Sequence, residues 1–259
     1  MNDSALAVEA TRLAKTYRQG RLEVHALEGI DLRIESGEFT VLAGPSGSGK
    51  TTLLNLVGAL DRPTSGAVRV GGQELASMTS SQLARMRRDH IGFVFQAYNL
   101  QPVLSALENA SLVLELQGKS RGYSRQKAEE TLRAVGLGDM LHRRPGELSG
   151  GQQQRIAVAR AIAAEPTLVL ADEPTANLDS KSAEALLDVM QELNESRQLT
   201  FLFSTHDPRV MARARRVVRL EDGHIVGDDR RAEGNGHDEP NPERHTPGES
   251  HEQPSDRHE

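Results

Sequence analysis

The segment Gly44-Pro45-Ser46-Gly47-Ser48-Gly49-Lys50-Thr51 constrains this chain most, because it matches G-x-x-x-x-G-K-[ST] and stands between an apolar run, Phe39–Ala43, and a helix-compatible stretch at 52–59. A strand before and a helix after are what such a loop needs. Its glycines let the backbone wrap an anion with N–H groups inward, and the helix N-terminus adds partial positive charge. Lys50 brings a point charge for β- and γ-phosphates, Thr51 offers a hydroxyl to Mg²⁺, and Thr52 continues into the helix. A plain glycine-rich turn would also join strand to helix, but it has no use for Lys-Thr at this position.

Three further short apolar runs, Leu168–Asp172, 200–204 and 217–220, look like core strands. Helical stretches fill the intervals, as in an α/β sheet protein. After Asp179, the apolar residues Ala183, Leu186, Leu187, Met190 and Leu193 recur at helical spacing and predict a face that packs on the sheet. Residues 152–164 also read as helix and end before Pro166. The run from Leu168 ends in Asp172 and Glu173, which places two carboxylates at the C-terminal edge of the sheet, where such folds bind nucleotides. Asp172 suits a Mg²⁺ carboxylate, and Glu173 can orient and deprotonate an attacking water. His206 emerges at the same edge. Alone, each would read as a surface residue; the phosphate loop promotes them.

Leu148-Ser149-Gly150-Gly151-Gln152, followed by Gln153-Gln154-Arg155, resembles the signature of ATP-binding cassette (ABC) ATPases. The resemblance spans about residues 6–227. It takes in the phosphate loop, Gln96 after Gly92-Phe93-Val94-Phe95, Asp172-Glu173, Asn177-Leu178-Asp179 and His206. Within the family, the phosphate loop continued by Leu53-Leu54-Asn55, Gln96 with Asn99-Leu100, and Ala171-Asp172-Glu173-Pro174-Thr175-Ala176-Asn177-Leu178-Asp179 are similar to the lipoprotein-releasing and macrolide-export branch. The fold implied is α/β: a P-loop nucleotide-binding domain over residues 1–227, with a mainly parallel sheet core, an N-terminal antiparallel β part and a helical subdomain at about 97–160.

The resemblance implies an ATPase using ATP and Mg²⁺. Glu173, His206, Gln96 and Lys50 would be catalytic, with Thr51, Gln96 and Asp172 around the metal. ATP would meet Tyr17 at its adenine, loop residues 44–52 at its phosphates, and Ser149, Gly150, Gly151 and Gln152 of a second copy across a head-to-tail dimer. Asp179 would communicate across that dimer. The residues support the signature's part independently, since Ser149 and Gln152 have the S-x-x-Q form of a helix capping box. Tyr17 suits stacking on a base, and edge packing explains it equally well.

No apolar run approaches the ~18 residues needed to cross a bilayer, so the chain is not expected to span a membrane, and the resemblance implies an integral membrane subunit as partner. Residues 98–100, Pro102 and 143–147 are the expected docking groove. A switch signalling through a membrane partner without transport, as in the similar cell-division cassette ATPase, remains the alternative. The N-terminus lacks a basic stretch followed by an apolar one, which predicts a cytoplasmic protein; the resemblance implies that it lies peripherally on the inner face of the cell membrane. Cysteine is absent, which excludes disulfides and thiol chemistry. Residues 228–259 hold ten acidic and four basic side chains and thus the whole net charge of −6, leaving a balanced body that does not favour nucleic-acid binding. With no aliphatic larger than alanine, 228–259 is expected to be a disordered acidic His- and Pro-rich tail, its four histidines solvated rather than metal-binding.

Overall fold

The computed structural model describes residues 5–20 and 22–231. Strands β1 (Leu6–Gln19) and β2 (Leu22–Glu35) form a long antiparallel hairpin, and β3 (Phe39–Ala43) runs into the phosphate loop and α1 (Lys50–Val57). There follow β4 (Ser65–Val70), β5 (Gln73–Glu74), α2 (Ser80–His90) and β6 (Ile91–Phe95). Helices α3 (Ala106–Leu116), α4 (Arg121–Ala134) and α5 (Gly150–Ile162) come next, then β7 (Leu168–Asp172), α6 (Ser180–Arg197), β8 (Phe201–Ser204), α7 (Pro208–Arg213), β9 (Arg216–Glu221) and β10 (His224–Arg230).

The larger sheet has the order β10-β9-β3-β8-β7-β6, parallel except for β10. The smaller antiparallel sheet has the order β2-β1-β4-β5. Central strands are buried on both faces, which is why they read as unbroken apolar runs. Along β3, Phe39, Val41 and Ala43 join a core with α3 to α6, whereas Leu42 joins a second core with α1 and the small sheet. The large sheet is therefore the middle layer. On α6, all five residues of the expected apolar stripe are buried.

The sequence-based boundaries shift in identifiable ways. Helix α1 begins at Lys50, two residues before the expected start, and ends before Ala59, whose φ of 55° leaves the helix. Helix α5 begins directly after Ser149. Strand β6 forms the sheet's edge, so Phe93 and Phe95 remain half-buried, and at Gly92 the α5 carbonyl of Ala161 sits where a Cβ would be.

The expected tail begins too early. Strand β10 runs through Arg230, past the boundary set at 227, because Asp228 accepts two bonds at 2.7 Å from the buried Arg216 guanidinium. Arg216 also bonds Glu38 at 3.0 Å and the carbonyl of Arg33 on β2 at 2.5 Å. It holds the Asp228 carboxyl below the usual range. Charge pairing thus supplies what the segment lacks in apolar surface. Residues 232–259, with the four tail histidines, lie outside the described residues.

Candidate functional site

The phosphate loop keeps its shape through two positions that only glycine serves. Gly44 has φ of 152° and its Cβ would collide with the Leu220 carbonyl; Gly49 has φ of 103° and its Cβ would lie 2.6 Å from the Ala26 carbonyl oxygen. Between them the buried Lys50 turns its Nζ onto the Gly44 and Pro45 carbonyls at 2.7 and 2.8 Å. The cation therefore stands inside the loop.

Strand β7 brings the carboxylates to the loop. Asp172 pairs in register with Ser204 of β8 and Phe95 of β6, so Gln96 leaves the sheet beside it. Burial pushes the Asp172 carboxyl up, helped by the charge of Glu173. At Glu173 the chain takes a left-handed conformation, φ 46°, and its N–H donates to the Ser204 carbonyl at 2.8 Å. That turn points the two adjacent carboxylates differently. Glu173 Oε2 accepts from Thr205 Oγ1 at 3.0 Å, and Oε1 lies 2.8 Å from His206 Nδ1. A carboxylate in that pair can only accept, so Nδ1 carries the proton.

Gln96, Glu173 and His206 share with the phosphate loop one cleft of about 620 Å³, whose lining does not include Asp172. Its walls are loop residues 44–47 and 49–52, then Gln96, Glu173, Ala176, Ser204 and His206, and on the far side Val24, His25 and Ala26 of β2. Sequence reasoning missed that β2 wall, since nothing short of the register of a 14-residue strand carries the hairpin over the loop. Three polar atoms near the floor, Asp172 Oδ1, Ser48 Oγ and Ser204 Oγ, are buried without a protein partner. Burying such atoms unpaired is costly. A polar ligand or hydrated cation would satisfy them. Among the described residues no cluster of three His, Asp or Glu side chains could hold a metal by itself.

Two expected contributors stand apart. Tyr17 is exposed and does not line the cleft; its hydroxyl donates to Asp61 Oδ2 at 3.0 Å, and Lys15 Nζ sits 4.7 Å over its ring. One ring face is taken by the ammonium, and the residue as a whole is 40% exposed. Ser149 to Gln152 form the start of α5, away from the cleft, with Ser149 exposed. Their capping box is complete: Ser149 Oγ accepts from the Gln152 N–H at 3.3 Å, and Gln152 Oε1 accepts from the Ser149 N–H at 2.9 Å. A Cβ on Gly150 would come within 2.7 Å of the Tyr98 hydroxyl, and one on Gly151 within 3.0 Å of Ser182. Asp179 caps α6, accepting from the Ser182 N–H at 3.0 Å.

Asp207 braces the His206 turn. It accepts the Thr175 hydroxyl at 2.9 Å and the Arg209 guanidinium at 2.7 Å, and Arg209 above all lowers its carboxyl to about 2. With a folded pKa below the ordinary 3.8, Asp207 contributes stability that is complete above pH 4 and disappears as pH falls through 2. The contribution is on the order of 2 kcal/mol. Denaturant unfolding of wild type and Asp207→Asn between pH 5 and 2 checks it: the variant should lose less stability on acidification by about that amount, and parallel losses would refute the assignment.

The model of the ABC transporter family matches residues 27–176. The lipoprotein-releasing system ATP-binding protein LolD of Anaeromyxobacter dehalogenans is 50% identical over 222 residues, 85% of this chain and 93% of that protein. The macrolide export ATP-binding/permease protein MacB of Syntrophobacter fumaroxidans is 49% identical over 84% of this chain, but the chain spans only 31% of MacB. Among solved structures, the dimeric post-hydrolysis state of the ATP-binding cassette MJ0796 bound to ADP and Pi aligns with a TM-score of 0.79 and 40% identity, over 86% of this chain and 98% of that one.

Proposed function

The chain belongs to the ABC transporter family, and on that premise we propose that it is the ATP-binding and hydrolysing subunit that powers a membrane transporter of the lipoprotein-release or macrolide-export type. The observation that carries this reading is the convergence of Lys50, Thr51, Gln96, Glu173 and His206 on one cleft. No helix among the described residues is long and apolar enough to cross a membrane. In this reading cargo is moved by a membrane-spanning permease, and the chain works at the cytoplasmic face of the membrane.

In this reading the N–H groups of residues 44–52 and the start of α1 surround the β- and γ-phosphates, with Lys50 adding its charge. The Thr51 hydroxyl, Asp172 and Gln96 would hold Mg²⁺, whose charge would offset that of the phosphates. The buried, unpaired Asp172 Oδ1 fits that role, and one carboxylate plus a hydroxyl suits an ion that keeps several waters. Glu173 orients the attacking water and accepts its proton, while His206 fixes the carboxylate through Oε1. Tyr17, exposed beside the loop, would stack on the base. The Ser149 helix start, which does not line the cleft of its own chain, completes the site of a second copy. The dimeric assembly of MJ0796 supports that arrangement.

The permease surface is read from two stretches that meet at the start of α3. Arg160 donates to the Tyr98 and Asn99 carbonyls, and the Ala106 N–H donates to the Arg143 carbonyl at 2.8 Å. Beside them runs an apolar groove lined by Leu60, Phe93, Phe95, Val113 and Leu116, suited to an amphipathic permease segment; Arg160 lines it too. Arg143 is exposed and only 3.7 Å from Glu147, a weak surface pair. Reversing Arg143 and Arg144 to Glu should therefore keep basal hydrolysis within about twofold while permease co-purification drops about tenfold or more. Retained co-purification and coupled activity would move the docking surface elsewhere. Finding a divisome component instead of an export permease in the same pull-down would favour the switch reading.

A further inference from the structure

Gln154 has no part in the site as described, yet it is fully buried one turn into α5. Its Nε2 donates to the Phe95 carbonyl at 3.1 Å and to the Pro174 carbonyl at 2.9 Å. Phe95 immediately precedes Gln96, and Pro174 immediately follows Glu173. Both protons of one amide thus tie two catalytic segments to the helix that begins at Ser149. Its Oε1 is buried without a partner, so the side chain carries a desolvation cost that a purely apolar filler would not. No other common side chain substitutes at this spot: a carboxylate would face two carbonyls with no proton, and an ammonium would bury a charge.

A second link runs parallel. Asn177 Nδ2 donates to the Gln96 carbonyl at 3.0 Å, and Gln96 Nε2 reaches Asn177 Oδ1 at 3.4 Å. The Gln96 and Glu173 segments are therefore bound to one another; Arg160 of α5 holds the chain just after Gln96 through the Tyr98 and Asn99 carbonyls, and Gln154 is the α5 side chain that bonds both segments at once. In a head-to-tail dimer, Ser149 serves one nucleotide and the Gln96 and Glu173 of the same chain serve the other. Gln154 spans the distance between the two sites inside one subunit.

We propose that Gln154 is a positioning residue that couples the two nucleotide sites, so that engagement of Ser149 at one adjusts Gln96 and Glu173 at the other. The idea rests on the dimer reading above. In energetic terms it is a reciprocal coupling free energy carried by two hydrogen bonds from one amide.

The test compares wild type with Gln154→Met, which keeps the volume and loses both bonds, and Gln154→Asn, which keeps the amide but retracts it. Steady-state hydrolysis is followed against ATP concentration in the intact chain, with thermal melting recorded in parallel. Wild type should be cooperative, with a Hill coefficient approaching two. Both variants should melt cooperatively, lose most of that cooperativity, and lose about tenfold in kcat with half-saturation moved by no more than about threefold. Cooperative wild type with equally cooperative variants would overturn the role of Gln154 alone, whatever happens to kcat. A non-cooperative wild type would overturn the dimer reading and the coupling with it. Failure of both variants to fold would make Gln154 a core residue only and would also overturn the coupling.

Discussion

Glu173→Gln should bind ATP as wild type does, hydrolyse it about 10²- to 10⁴-fold more slowly, and accumulate as a closed dimer. The magnitude is that of removing a general base. The geometry explains why binding survives: the substituted amide keeps the size of the carboxylate and can still accept from Thr205 Oγ1, 3.0 Å away in wild type. It cannot take a proton from water. Phosphate release at saturating ATP, together with gel filtration in ATP, checks both halves. Turnover near the wild-type rate would remove Glu173 from the chemistry, and a monomer in ATP would remove the dimer.

Lys50→Ala should weaken ATP binding about 10- to 100-fold, the loss expected for a charge-assisted hydrogen bond, and depress turnover with it. It should also destabilise the protein without nucleotide. Lys50 Nζ is the donor to the Gly44 and Pro45 carbonyls, and alanine would leave both without it inside a tightly folded loop. The expected cost is about 1–3 kcal/mol. Nucleotide affinity by calorimetry and unfolding without ATP separate the two effects. Unchanged affinity would place the phosphates outside the loop.

Much of the site was legible because its chemistry is concentrated in short motifs. The loop from Gly44 to Thr51 fixes its own flanking strand and helix, and Asp172 and Glu173 follow directly from an apolar run that must end at the sheet edge. The S-x-x-Q pattern marked Ser149 and Gln152 as a capping box, and both of its reciprocal bonds are present, although the helix begins at Gly150 and not at 152. What escaped depends on distant partners. Strands β1 and β2 mix exposed and buried positions through bulges, so their alternation is broken, and only the register of the hairpin, with Val24 and His25 opposite Tyr17 and Thr16, places Val24 to Ala26 along the cleft. Strand β10 is acidic and without large aliphatics at its end, and it is ordered by Arg216, a residue met earlier in the chain. Gln154 looked like one more polar residue beside the signature, because burial of an amide cannot be read from its neighbours.

Arg216 has a mechanical consequence. By clasping Glu38 before β3, Asp228 on β10 and the backbone of β2, one guanidinium rivets the small sheet to the large one across three chain segments. A lever needs an immobile fulcrum. With the two sheets tied together, the phosphate loop that follows β3 and the β2 wall on the far side of the cleft belong to one frame.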